Sequence, residues 1–234
     1  MTQPIDLCTK EGASYTMEKV KRYVVFLIGL FISSLGVSFI TKASLGTSPI
    51  SSIPYVLSLN FSMTLGQFTI LFSLFLILLQ LLILRKNFKL EHILQIPISI
   101  VFGYFIDLTM LLLFFVAPTH YLSAVIYLLI GCVILGSGVY LEMLADVAML
   151  PGESLVRAIS STWATDFGLT KIACDVSMSV TAGLLSLLFA HRLDGIREGT
   201  LIASLLVGYT ARTLSRLLHF LPAVLFQESA KKTD

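Results

Sequence analysis

Charged side chains are scarce in this chain, and their scarcity limits what the protein can be. Only 13% of the 234 residues are Asp, Glu, Lys or Arg, while 56% are hydrophobic. That composition is too apolar for an ordinary soluble domain. The net charge of +2 is small and is not gathered into a basic patch, so no nucleic-acid partner is expected.

Several kinds of chemical site are also missing from the sequence. The three cysteines, Cys8, Cys132 and Cys174, are spaced neither as a disulfide framework nor as a metal pair. The four histidines form no ligand-spaced set, and there is no Ser/His/Asp cluster, Walker loop, zinc pattern or dinucleotide fingerprint. We therefore expect neither an enzyme nor an ATP-driven pump, with no catalytic residue, metal or cofactor.

Long apolar runs take the place of these features. A run of about 20 apolar residues crosses the hydrocarbon core as a helix. The sequence predicts an all-α polytopic membrane protein whose spans cover residues 21–42, 65–84, 93–116, 122–144, 168–189 and 199–220. Two short segments, each containing an early proline, lie between spans at residues 46–59 and 151–163.

The same phrase of special backbone residues occurs twice, 102 positions apart. The repeated pairs are Gly29 with Gly131, Gly36 with Gly138, Pro49 with Pro151 and Gly66 with Gly168. A weaker match at an offset of 105 pairs Gly103 with Gly208. Glycine and proline mark special backbone positions, so a repeat of them at one offset indicates two halves built on one plan.

An odd number of spans per half fixes how the halves relate. With three spans and one short proline-initiated helix each, the second half enters the membrane from the opposite side, which predicts an inverted repeat. The predicted units are a tail at 1–20, the repeats at 21–116 and 117–225, and a tail at 226–234. The basic residues that fall on one side of this arrangement are Lys19, Lys21, Arg22, Arg85, Lys86, Lys89, Lys231 and Lys232. The positive-inside rule then makes both tails cytoplasmic, with Arg192 and Arg197 as exceptions.

The short segments are the first candidate site. Proline suits the first turn of a helix, and Thr47 and Ser48 before Pro49 are good capping residues. The structural motif comprises Gly46, Thr47, Pro49, Pro151 and Gly152. A helix start offers free N–H groups and partial positive charge to a solute. If the segments are re-entrant they flank a central pathway; the alternative is that they are interfacial helices or connectors.

Charges within the spans are the second candidate site, since they are costly in lipid. Four pairs share a helix face by their spacing of four residues: Glu142 with Asp146, Glu153 with Arg157, Lys171 with Asp175, and Arg212 with Arg216. They form either a polar vestibule or a salt-bridge lattice near the headgroups. Asp107 is matched in depth to Lys42, and Arg212 holds its equivalent place in the second repeat.

The stretch Gly29…Gly36-Val37…Ala43-Ser44-Leu45-Gly46-Thr47-Ser48-Pro49 resembles the YczE/YyaS/YitT-type bacterial membrane proteins, especially the YczE branch. The resemblance covers most of residues 20–225. It implies a multi-pass protein of the bacterial inner membrane, and it transfers no catalytic residue.

These features favour a secondary transporter or facilitator of a small polar or charged solute, working by alternating access between the two repeats. The candidate substrate-binding residues are Ser48, Ser51 and Ser52 on the outer approach, and Glu142, Glu153, Arg157, Asp175 and Arg212 on the inner one. A carboxylate among them is available for proton coupling. The alternatives are a non-transporting accessory or regulatory protein and, third, a passive channel. Besides the lipid bilayer and the solute, a second copy of the chain or a partner membrane protein is a further candidate partner.

Overall fold

The chain folds into helices throughout the part that the structure describes. The structure is a computed structural model that describes residues 5–85, 92–191, 195, 197–219 and 221, with side chains from residue 17 onward. Its helices are α1 (Ile5–Lys42), α2 (Pro49–Asn60), α3 (Leu65–Leu84), α4 (Gln95–Leu112), α5 (Tyr121–Ala145), α6 (Pro151–Trp163), α7 (Phe167–Ala190) and α8 (Glu198–Leu217). The predictions made for Lys86, Lys89, Arg192 and residues 222–234 lie outside the described residues.

Five helices are long and apolar enough to cross a membrane. They are the Met17–Lys42 part of α1, together with α3, α4, α5 and α7. The chain is therefore a multi-pass membrane protein, as its composition predicts. The sixth predicted span corresponds to α8, whose 20 residues include Arg212 and Arg216, and α8 is not among the five in the described chain.

The first helix begins well before its predicted start. The sequence predicts a polar tail up to residue 20, whereas α1 begins at Ile5. Glu18 and Arg22 then approach to 3.9 Å one turn apart, so the charges of this segment support a helix instead of interrupting it.

Glycines set the contact between α1 and α5. A Cβ added to three of these glycines would collide with the facing helix: Gly36 with Leu135, Gly131 with Ile40, and Gly138 with Ser33. A Cβ on Gly29 would lie 3.0 Å from the backbone nitrogen of Glu142. The contact moves back along α5, from Glu142 to Leu135, as it moves forward along α1 from Gly29 to Gly36. The two helices are therefore antiparallel, and their backbones approach closely because the residues between them are small.

The other helices assemble around this pair. The helix α4 packs on α1 and α3, and α8 packs on α5. The short helices bridge the halves, because α2 packs on α3 and α7 while α6 packs on α3 and α7. Apolar side chains such as Ile40, Leu128, Cys132 and Ile106 are fully buried where α1, α4 and α5 meet.

Asp107 holds the start of α3 rather than pairing with Lys42. Its Oδ1 accepts from the backbone N–H of Gly66 at 2.8 Å, and its Oδ2 accepts from Thr64 Oγ1 at 2.6 Å. Among the described residues no ion pair joins Asp107 to Lys42, and their predicted match in depth stays a prediction. A helix start attracts a carboxylate because its first N–H groups have no partner within the helix.

Candidate functional site

The two proline-initiated helices meet at their first turns. A Cβ added to Gly152 in α6 would collide with Cδ1 of Ile50 in α2. Each helix follows an N-cap residue in the extended conformation, with φ −62° and ψ 149°. This residue is Ser48 for α2 and Leu150 for α6. Ile50 and Gly152 are themselves 102 positions apart, which is the offset of the predicted repeat.

The predicted cap at Ser48 takes a different form. Ser48 is the N-cap residue of α2, but its hydroxyl donates to Ser51 Oγ at 3.0 Å instead of accepting from the first turn. At α6 the N-cap is Leu150, which has no polar side chain. Within these described turns, neither helix start is satisfied by its own N-cap side chain.

A cavity of about 210 Å³ lies where these first turns meet. It is bounded by both helix starts and by residues of α1, α3, α4, α5, α7 and α8. Polar side chains line it between apolar ones: Ser33, Ser48, Ser51, Thr69, Ser73, Glu153, Lys171, Asp175 and Ser204. Pockets for drug-sized ligands are typically about 300–1,000 Å³, so this volume suits a smaller molecule.

A buried carboxylate stands directly behind the cavity wall. Glu142 on α5 is only 8% exposed, and its Oε1 accepts a hydrogen bond of 2.6 Å from Ser33 Oγ. Ser33 in turn lines the cavity. Among the described residues no cation lies within ion-pair distance of Glu142. A single hydroxyl therefore connects this acid to the cavity.

One ion pair faces the cavity from α7. Lys171 Nζ donates to Asp175 Oδ1 at 3.1 Å, as the spacing of four residues predicts. Both side chains line the cavity and are 36% and 22% exposed. The pair places one positively charged donor and one negatively charged acceptor on the cavity wall. A polar solute can replace the contact between them with hydrogen bonds to its own groups.

A buried chain of hydrogen bonds, which was not predicted from the sequence, fixes the start of α6. Gln95 Nε2 donates to Ser154 Oγ at 2.8 Å, and Ser154 Oγ donates to Gln80 Oε1 at 2.8 Å. Gln80 Nε2 then donates to the carbonyl oxygen of Pro151 at 3.0 Å. The signal in the sequence is Gln80 itself, a lone amide inside the apolar run 65–84 that needs a partner.

Replacing Gln80 by leucine is expected to loosen α6. The change leaves the Pro151 carbonyl without its amide donor and the Ser154 hydroxyl without its acceptor, in a place where Gln80 is fully buried. A buried hydroxyl left without its acceptor costs about 1–3 kcal/mol, and the loss of the second hydrogen bond to the Pro151 carbonyl, which still accepts within α6, adds about 0.5–1.5 kcal/mol. The thermal midpoint of the purified protein in detergent should fall clearly, whereas Ser177→Ala, which removes an exposed hydroxyl on α7, should leave it unchanged. An unchanged midpoint for Gln80→Leu would contradict this role.

The structure brings together only some of the predicted site residues. Ser48, Ser51, Glu153 and Asp175 line the cavity. Ser52 does not, because it is fully buried and donates to the carbonyl oxygen of Pro49 at 2.5 Å.

Two of the four predicted charge pairs, Glu142 with Asp146 and Glu153 with Arg157, are separated. Glu153 faces the cavity, whereas Arg157 is exposed and lines a second cavity of about 570 Å³ with Gln95 and Ser154. The helix α5 ends at Ala145, and Asp146 turns into the left-handed region at φ 47°, so it does not continue the face of Glu142. The exposed Arg212 does not line the first cavity.

Comparison with known proteins identifies the family of this chain. Residues 20–216 match the family model described as a family of unknown function, DUF6198. The chain is 28% identical over 198 residues to the uncharacterized membrane protein YczE of Bacillus subtilis, covering 83% of this chain and 86% of that one. It is 30% identical over 142 residues to the uncharacterized protein YyaS of the same organism, covering 59% and 68%. No solved structure matches the chain. The predicted resemblance to the YczE and YyaS proteins is thus confirmed, and the chain belongs to the DUF6198 family.

Proposed function

We propose that the protein is a secondary transporter or facilitator of a small polar or charged solute. The solute occupies the cavity where the first turns of α2 and α6 meet, and two inverted repeats open that cavity to each side of the membrane in turn. The observation that carries the proposal is the convergence of two equivalent helix starts on one cavity, whose mainly apolar wall carries charged and hydroxyl side chains.

The contacts of α1 and α5 support the inverted repeat. Shifting each residue by 102 positions to its counterpart turns the contact of Gly29 with Glu142 into that of Gly131 with Ile40. The same exchange turns the contact of Gly36 with Leu135 into that of Gly138 with Ser33. Equivalent helices that run antiparallel and exchange their contacts in this way are related by a pseudo-twofold axis perpendicular to them. With membrane-spanning helices, such an axis lies in the membrane plane, as in transporters with inverted repeats.

The charged and hydroxyl side chains on the cavity wall support a polar solute. Helix starts direct free N–H groups and partial positive charge toward an acceptor group. The Lys171–Asp175 pair and Glu153 supply charged partners, and Glu142 supplies a carboxyl that a hydroxyl connects to the cavity. A non-transporting accessory protein predicts instead that these charges pair within a dry bundle, so their position on a cavity favours transport over that alternative.

The proposed location is the bacterial inner membrane, with both chain ends in the cytoplasm and α8 as the sixth span. Lys19, Lys21 and Arg22 in the first turns of the Met17–Lys42 span and Arg85 after α3 fall on one side of this arrangement. The positive-inside rule assigns that side to the cytoplasm.

Filling the cavity should stop transport. The test uses proteoliposomes and a panel of labelled amino acids, carboxylates, sugars and inorganic ions, each with and without a pH gradient. Ser73→Trp places an indole in the cavity from α3, and its flux should fall to that of empty liposomes. Leu82→Trp, at a 61% exposed position on the same helix, should transport normally. Absence of flux across the whole panel, with wild-type protein that is demonstrably folded, would contradict the proposal.

A further inference from the structure

Two glycines close the gap between α3 and α4. Gly66 and Gly103 are both buried, and a Cβ on Gly66 would collide with the carbonyl oxygen of Gly103. A Cβ on Gly103 would in turn lie 2.7 Å from the carbonyl oxygen of Gly66. The two helices therefore touch backbone to backbone at this point.

The counterparts of these glycines stand open in the second repeat. Gly168 on α7 and Gly208 on α8 are both exposed. A Cβ on Gly208 would meet nothing within 4 Å, and a Cβ on Gly168 would come near only Asp166 of its own helix start. Accordingly α7 packs on α2 and α6, and α8 packs on α5, while α3 and α4 pack on each other.

The polar contact beside the glycines has a charged counterpart. In the first repeat Thr64 Oγ1 donates to Asp107 Oδ2 at 2.6 Å and joins the start of α3 to α4. The residues at the same places in the second repeat, by offsets of 102 and 105, are Asp166 and Arg212. They carry opposite charges, yet within the described residues no ion pair joins them, and the Asp166 carboxylate accepts only from the backbone N–H of Leu169.

We propose that α7 and α8 form a gate. The gate closes through the same kind of helix contact that already joins α3 to α4. Closure brings Gly168 against Gly208 and joins Asp166 to Arg212 in an ion pair. The inference rests on the proposed alternating-access function, and it assigns Arg212 to the gate instead of the solute site. The gate governs the cavity directly because α7 carries Lys171 and Asp175 and α8 carries Ser204 on its wall.

The gate makes the two repeats unequal in this state. In the first repeat the helix pair is sealed by glycine contact and by the Asp107 hydrogen bonds. In the second repeat Gly168 and Gly208 do not touch, and within the described residues no ion pair joins Asp166 to Arg212. The structure therefore corresponds to a state that is closed on the side of Asp107 and open on the side of Arg212, which is the cytoplasmic side in the proposed orientation.

Disulfide cross-linking in native membranes tests the gate without knowledge of the solute. In a chain freed of Cys8, Cys132 and Cys174, the pair Asp166→Cys with Arg212→Cys should form an intramolecular disulfide on mild oxidation. The matched control is Thr64→Cys with Asp107→Cys, at the same places in the closed first repeat, which should cross-link readily. If the control cross-links and the test pair does not, or does so only between two chains, the gate is wrong.

A third change separates gate closure from chance encounters. Gly208→Leu adds a side chain where the observed state has open space, so the protein should fold, but it blocks the approach of Gly168. Adding it to the Asp166/Arg212 cysteine pair should strongly reduce the disulfide yield, and an unchanged yield would overturn the proposal. Flux is measured separately: cross-linking without flux for any probe supports the gate and rejects transport, whereas flux without cross-linking does the reverse.

Discussion

Replacing Gly36 by leucine is expected to leave no folded protein in the membrane. A Cβ at this position would lie 2.6 Å from the Cα of Leu135 and would also collide with its backbone nitrogen. Backbone atoms cannot move aside as the end of a flexible side chain can. The two antiparallel helices would have to separate along their whole contact, which is the contact around which α4 and α8 are arranged.

The size of the effect can be graded with alanine. Overpacking a well-packed site costs about 1–3 kcal/mol, and Gly36→Ala should lie at or above the top of that range because it meets backbone. Gly208→Ala provides the matched control: its Cβ meets nothing within 4 Å, and removing a helical glycine should stabilise by about 0.5–1 kcal/mol. Size-exclusion profiles and thermal midpoints in detergent measure both. A Gly36→Leu protein that stays monodisperse with an unchanged midpoint would contradict the close α1–α5 contact.

Replacing Glu142 by glutamine is expected to abolish solute accumulation driven by a pH gradient. The amide has the size of the carboxyl and its oxygen still accepts from Ser33 Oγ, so the local hydrogen bond and the fold are retained. An amide, however, cannot take up and release a proton. Accumulation in proteoliposomes with a pH gradient should fall to background, while exchange of solute across the membrane without a gradient continues.

Ser33→Ala is the control for this substitution. It removes the hydroxyl that joins Glu142 to the cavity but keeps the acid. Accumulation should therefore weaken without disappearing. If Glu142→Gln accumulates solute as the wild type does, Glu142 is not the coupling acid, although transport through the cavity would still stand.

The part of the fold that could be predicted from the sequence was predicted mainly from glycine and proline positions. Their positions are set by backbone geometry, so Gly36 and Gly138, or Pro49 and Pro151, remain recognisable after the surrounding apolar residues have diverged. That is why the two short helices and the family resemblance could be predicted from the sequence, whereas the inverted repeat stays a prediction.

Side-chain direction could not be predicted in the same way. The spacing of four residues places Glu153 and Arg157 on one face of α6. It does not show that Glu153 lines one cavity and Arg157 lines another. Ser52 shows the same difficulty, since its hydroxyl turns to its own backbone at Pro49. Gln80 and Gln95 were missed because each is a single polar residue whose partners lie far away in the sequence.

The most direct test of the account is the accessibility of Ser51, which lies on the cavity at the first turn of α2. A single cysteine placed there is exposed to a membrane-impermeant thiol reagent in right-side-out and in inverted vesicles. We expect this cysteine to react from both sides while a thiol indicator inside the vesicles stays unreacted, because the cavity opens to each side without forming a continuous pore. Reaction from one side only, or passage of the reagent through to the indicator, would contradict alternating access between two inverted repeats.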